Sequence, residues 1–218
     1  MKFLFLIVSL LVFQAEAAVV TSLNIEWFGR GGDIYGSIKD EYRGERLKEY
    51  IHEVLPESDV YVFQEITHKE SLFEIMSGFE CISYDAGTSR HQFVVMCSKK
   101  GLLKEHKVNQ EVRLGRKGLR AALIGDYEIN NKKIRIVGVH LKAGFKDTTT
   151  RLEQVEALQP DLNKADSVMV VGDFNTYKKD RTNLLKDDSF MITESLGGGF
   201  SLVENETPTY MGFGGACF

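Results

Sequence analysis

Proline and cysteine are both scarce in this chain, at 3 each in 218 residues, and there is a single tryptophan. So little proline excludes collagen-like and proline-rich linker sequence. Three cysteines are too few for a disulfide-framed miniature fold, and no CxxC pair is present, so a structural zinc site is not expected. Past the first residues no run approaches the roughly 18 apolar residues of a membrane-spanning helix, so stable membrane association is not expected. A basic excess is missing too. The 27 Lys and Arg face 31 Asp and Glu, a formal net charge of −4, whereas holding nucleic acid by phosphate neutralisation alone usually needs a clearly basic protein. What remains, 43% hydrophobic and 27% charged residues without repeats or a linker, suits one ordinary globular domain.

The first residues read as a leader. Lys2 supplies a positive start, residues 3–13 are apolar apart from Ser9, and Ala15-Glu16-Ala17 has the small-x-small form of a cleavage site. Residues 1–17 are therefore expected to be a signal peptide, and residues 18–218 an exported domain, secreted to an extracellular or periplasmic space. In such a compartment two of Cys81, Cys97 and Cys217 can pair. Cys81 and Cys97 lie on apolar segments 81–84 and 93–97 joined by a polar turn, which suits a cross-strand bridge; buried free thiols are the alternative. Residues 99–120 carry eight Lys and Arg against Glu105 and Glu111. Such a cluster either grips an anionic backbone or is a solvated face.

Short β-like runs alternate with amphipathic helices. Residues 19–27 alternate, with Leu23, Ile25 and Trp27 on one face and Ser22, Asn24 and Glu26 on the other. Residues 45–55 have helical spacing and are closed by Pro56. Residues 59–64 read as a buried strand, and residues 71–79 as a short helix that Gly78 helps to end. Two strands, 118–129 and 132–140, flank Asn130-Asn131, a dipeptide that tolerates left-handed turn geometry. Residues 148–162 form a helix opened by threonines, with Leu152, Val155 and Leu158 as its apolar stripe. Residues 167–171 are a further strand, and 197–199 a glycine turn. The expected class is α/β or α+β with many strands.

Several of these strands end abruptly in a polar residue: Ser22-Leu23-Asn24, Phe63-Gln64-Glu65, Gly138-Val139-His140 and Gly172-Asp173-Phe174-Asn175. If the ends meet at one rim, Asn24, Glu65, His140, Asp173 and Asn175 converge above a rigid sheet, where functional sites are favoured. Glu65 and Asp173 offer hard oxygen donors that suit Mg²⁺ with waters and a substrate phosphate. Alternation by two would put Asp173 and Asn175 on the same side of their strand. Asn24 and Asn175 can hold a ligand, a water or a phosphate oxygen, and His140 can move a proton near neutral pH. The set suits metal-assisted phosphoester cleavage.

Thr21-Ser22-Leu23-Asn24-Ile25 resembles the opening strand of the endonuclease/exonuclease/phosphatase superfamily, the deoxyribonuclease I-like group. Phe63-Gln64-Glu65 resembles its LQE segment, Val139-His140-Leu141-Lys142 its HLK strand end, and Gly172-Asp173-Phe174-Asn175 its GDxN motif. The similarity runs over residues 19–177. It implies a four-layer α/β sandwich, two packed mixed β-sheets flanked by helices, and an Mg²⁺-dependent phosphodiesterase, with Mn²⁺ or Ca²⁺ as alternatives. Glu65 would be the principal metal ligand with Asn24 beside it. Asp173 and Asn175 would position metal, attacking water or scissile phosphate. His140 would be a phosphate ligand or general acid, and Arg120 would lie near the substrate backbone. Nucleic acid is the implied substrate; sphingomyelinases and sugar or inositol phosphatases share the fold.

The chain departs from that pattern in two places. The family's terminal Ser-Asp-His does not follow Asn175, and no histidine follows His140. The resemblance then implies missing C-terminal strands, a missing general base, a marginal or aggregation-prone chain, and a non-catalytic paralogue as the alternative reading. In Arg90-His91-Gln92-Phe93, His91 stands where the family often has a glutamate that pairs with the histidine of its HL segment. His52, His68 and His106 read as surface residues.

Overall fold

Two sets of β-branched and aromatic runs pair into two four-stranded sheets whose central strands are largely buried on both faces. The computed structural model describes residues 17–29, 40–84, 92–144, 146–163, 167–176 and 196. The first sheet has β1 (Val20–Phe28), β2 (Val60–Ile66), β3 (Glu80–Ile82) and β4 (Phe93–Ser98) in the order β1-β2-β4-β3. The second has β5 (Leu103–Asn109), β6 (Ala122–Ile129), β7 (Lys132–His140) and β8 (Val168–Asp173) in chain order. Both are mixed, with parallel pairs β1–β2 and β7–β8 and antiparallel pairs elsewhere.

Alternation along the central strands builds three cores. Val62, Met96, Leu123 and Ile136 meet between the sheets. Tyr61, Phe63, Ile66 and Val95 face α1 (Asp40–Glu49) and α2 (Lys69–Ile75), packing on Leu47 and Leu72. Ile124, Val137 and Val139 face α3 (Thr148–Glu156) and α4 (Gln159–Leu162), packing on Val155, Leu158 and Leu162. The layers run helix, sheet, sheet, helix, the four-layer α/β sandwich expected from the sequence. No described helix is long and apolar enough to cross a membrane.

Local differences have local causes. The first helix begins at Asp40, earlier than the spacing predicts, and finishes as a π-helical turn over Tyr50–Val54. Leu55 is extended, at φ −76° and ψ 149°, as a residue before proline prefers. The single helix expected over 148–162 is two. Pro160 has no N–H to give and its ring clashes with the carbonyl four residues back, and α3 ends at that residue, Glu156. The β6–β7 hairpin turns on Asn130 and Asn131, both left-handed at φ 53° and 61°, as a two-residue turn matching the strand twist requires. His52, His68 and His106 are exposed. The leader through residue 16, the turn at 197–199 and the segment at 207–210 lie outside the described residues.

The cysteine and lysine alternatives are resolved by register and pairing. Cys81 lies directly opposite Cys97 on β3 and β4, and the two form a disulfide. Of the basic cluster, Lys99 pairs with Glu57 at 2.9 Å and Asp59 at 3.2 Å, and Lys104 with Glu128 at 3.8 Å. Lys107 pairs with buried Asp161, and Arg116 with Glu153 at 2.9 Å. Much of that charge ties neighbouring elements together. The bridge closes a loop of sequence separation 16, so reducing it should cost roughly 3 kcal/mol of stability by the loop-entropy relation. Denaturant curves of oxidised and reduced protein should separate accordingly, and coincident curves would contradict this.

Candidate active site

Strict alternation would hide Glu65. Phe63 and Tyr61 point to the helix-side core, so Glu65 would follow them under α1 and α2. Instead Glu65 adopts the left-handed conformation at φ 63°, the β2–β4 register shifts between Phe63 and Ile66, and Ile66 takes the helix-side place. The carboxylate is thereby turned to the rim. In β1 the register with β2 shifts between Asn24 and Phe28, with Glu26 at φ 35° and Trp27 at φ 52°. Leu23 and Ile25 do share the helix-side face as expected, but Trp27 does not continue the alternation; Phe28 fills the next core position. The backbone of Trp27 hydrogen-bonds the Glu65 carboxylate. Arg43 of α1 donates to the carbonyls of Ile25 at 2.5 Å and Glu26 at 2.7 Å, satisfying the bulged backbone. Left-handed non-glycine residues cost on the order of 1–3 kcal/mol each and persist where the surroundings over-determine them.

The second sheet delivers the other carboxylate. β7 and β8 run parallel with His140 opposite Asp173. Their approach needs a glycine: Gly172 sits at φ 132°, and a Cβ there would lie 2.0 Å from the Val139 carbonyl oxygen. The strand stops at Asp173, and Asn175 is left-handed at φ 50°. The expected strand alternation of Asp173 and Asn175 is therefore replaced by a turn. The Asn175 N–H donates to Asp173 Oδ1 at 2.8 Å, while its side-chain amide donates to the Leu141 carbonyl at 3.1 Å. Helix α3 secures the loop after His140. Gln154 accepts from the Lys142 N–H at 2.8 Å and donates to the Val112 carbonyl, and fully buried Arg151 donates to the carbonyls of Lys142 and Gly144.

All six residues singled out in the sequence are thus placed at or beside one rim. Asn24 Nδ2 donates to Glu65 Oε1 at 3.2 Å and to Asp173 Oδ2 at 2.8 Å, tying the two sheets together. Its oxygen accepts the Glu26 N–H at 3.1 Å, so as oriented Asn24 offers nitrogen, not oxygen, to the site. His140, 3% exposed, lies with Nε2 3.7 Å from Glu65 Oε1 and 3.8 Å from Asp173 Oδ2. Asn175 adjoins through Asp173. Arg120 donates to Gln92 Oε1, and Gln92 Nε2 donates to Glu65 Oε2 at 2.7 Å. Gln92 was not among the residues expected at the site. Its signal was a polar residue directly before an apolar strand, beside His91, which lies outside the described residues.

Burial dominates the electrostatics. It raises the Glu65 carboxyl above its usual range, helped by Asp173 and opposed by the Asn24 hydrogen bond and the Arg120 charge. Burial, with the Arg120 charge, holds the His140 imidazole well below its ordinary value, so it is neutral at pH 7. Its Nδ1 is buried with no partner among the described residues. Burial also lifts the neighbouring Tyr84 hydroxyl to about 12. Glu65, His140 and Asp173 each offer a ligand atom within 4.8 Å of the others. The two carboxylates fit a divalent cation, with the imidazole beside them as a third ligand or, with hydrogen on Nε2, as a donor.

No family model matches the sequence, and no curated protein matches it. The fold is similar to that of D. rerio TDP2 complexed with a single-strand DNA product, with a TM-score of 0.62, 16% identity and coverage of 84% of this chain and 66% of that one. It is also similar to an endonuclease/exonuclease/phosphatase family protein from Bacteroides thetaiotaomicron, at TM-score 0.58 and 14% identity, covering 76% and 66%. The human Nocturnin catalytic domain with bound sulfate matches at TM-score 0.58 and 19% identity, covering 75% and 66%. The chain spans about two thirds of the length of these structures and 48% of C. elegans TDP2.

The motif glycine gives a sharp check of this geometry. Gly172→Ala should destabilise the protein by about 3 kcal/mol or more, since it adds left-handed strain to a backbone clash. A melting temperature equal to the parent's would show that β7 and β8 do not approach as described.

Proposed function

Because the chain has the DNase I-like fold of the endonuclease/exonuclease/phosphatase superfamily, we propose that it is an exported, divalent-metal-dependent phosphodiesterase that hydrolyses nucleic acid. The observation that carries the reading is the meeting of Glu65, Asp173 and His140 at one rim, from two different sheets. Residues 1–17 act as the cleaved leader and residues 18–218 as the catalytic domain.

Glu65 and Asp173 would hold the cation, with the His140 nitrogen close by. When bound, an Mg²⁺-type ion supplies charge that stabilises the oxygens of the phosphoester and lowers the cost of using water as nucleophile. The remaining work falls to the chain. With His140 neutral, the tautomer carrying hydrogen on Nε2 faces both carboxylates favourably, which suits a hydrogen-bond donor to a phosphoryl oxygen better than an imidazolium acid. Asn175, with one amide hydrogen on the Leu141 carbonyl, has the other for a phosphoryl oxygen or the attacking water. Arg120 keeps its charge although burial lowers its pKa. It faces the anion that develops as water adds to phosphorus and the ester oxygen leaves.

The test is cleavage of supercoiled plasmid and of single-stranded DNA and RNA by the chain in Mg²⁺ or Mn²⁺. Chelation should abolish it, and Glu65→Gln and Asp173→Asn should each slow it by roughly 10²-fold or more, the scale of losing one preorganised electrostatic group. Undiminished cutting by Glu65→Gln would remove this site from the reaction.

A further inference from the structure

Gln92 stands between the cation and the anion of the site, and the chemistry of an amide fits that place. It is 6% exposed, at the entry to β4, and both ends of its side chain are spent on site residues, neither on backbone. A guanidinium only donates and an ionised carboxylate only accepts. With Arg120 donating to Gln92 Oε1 and Glu65 accepting from Gln92 Nε2, the amide orientation is therefore fixed. An amide meets both demands at once, its oxygen accepting from the guanidinium and its nitrogen donating to the carboxylate. Without it, Arg120 and Glu65 could close into a direct ion pair, which would use up the carboxylate charge and the guanidinium donors together.

We propose that Gln92 is a positioning residue: it holds Glu65 by Oε2 so that Oε1 faces Asn24, His140 and Asp173, and it keeps Arg120 from pairing with Glu65. The inference rests on the metal-site reading above. It assigns a role to a residue that neither touches the reacting atoms nor carries charge. Partners of metal ligands orient them, and their loss typically weakens metal affinity roughly 10–100-fold.

Mn²⁺ titration of the full chain, followed by electron paramagnetic resonance, tests this without reference to turnover. Gln92→Met keeps length and burial but neither hydrogen bond. Gln92→Asn keeps the amide but is one methylene too short to reach both partners, and serves if the methionine variant does not fold. Each should bind Mn²⁺ roughly 10-fold or more weakly while keeping a cooperative melt. In an Arg120→Met background, where Glu65 has no guanidinium to turn to, Gln92→Met should cost markedly less, the non-additivity of coupled neighbours. Parental Mn²⁺ affinity in both Gln92 variants, with the ion lost in Glu65→Gln, overturns the role of Gln92 alone. A parental chain that binds no Mn²⁺ overturns the site reading beneath it.

Discussion

Everything at the rim follows from keeping two like charges together. Glu65 and Asp173 approach from different sheets, partly out of water, where their repulsion is poorly screened. The structure answers with neutral hydrogen-bond donors: the Asn24 amide to both carboxylates, the Gln92 amide and the Trp27 backbone to Glu65, and the Asn175 N–H to Asp173. Among the described residues Arg120 alone brings a full positive charge, and its hydrogen-bonded link to Glu65 runs through Gln92. A site held mainly by dipoles remains anionic, the condition for attracting a cation and then a phosphate.

The sandwich supplies the rigidity that such an arrangement demands. A central core locks the two sheets, and separate helix-side cores clamp each sheet from outside. The strained turns at Glu26, Trp27, Glu65 and Asn175 are affordable because they lie at the ends of strands that are otherwise regular. Helix α3 reaches the rim indirectly, through Gln154 and Arg151, whose polar groups hold the loop that follows His140. Outer layer and rim are one mechanical unit.

Much of this was legible in the sequence, and the failures have a shared cause. Polar residues ending apolar runs marked Asn24, Glu65, His140 and Asp173, because a strand end is where a buried sheet meets solvent. The layer architecture followed from the order of the runs. What period-two reading could not deliver was the bulges, since nothing in Phe63-Gln64-Glu65 says that the backbone turns left-handed at Glu65; the same holds for Trp27 and for the turn before Asn175. Gln92 escaped because a lone glutamine carries no charge pattern. The break at Glu156 was written in Pro160 and needed only the proline rule applied inside a helical pattern.

The ion pairs of the basic segment carry a further consequence. Lys99, Lys104, Lys107 and Arg116 already neutralise acidic side chains of the same molecule. A polyanion sliding over that surface would find part of its positive charge already paired, and so would displace fewer of its own condensed counterions than the number of basic residues implies. Its hold on the protein would depend less steeply on ionic strength than that number implies, and more of the recognition would fall to the rim.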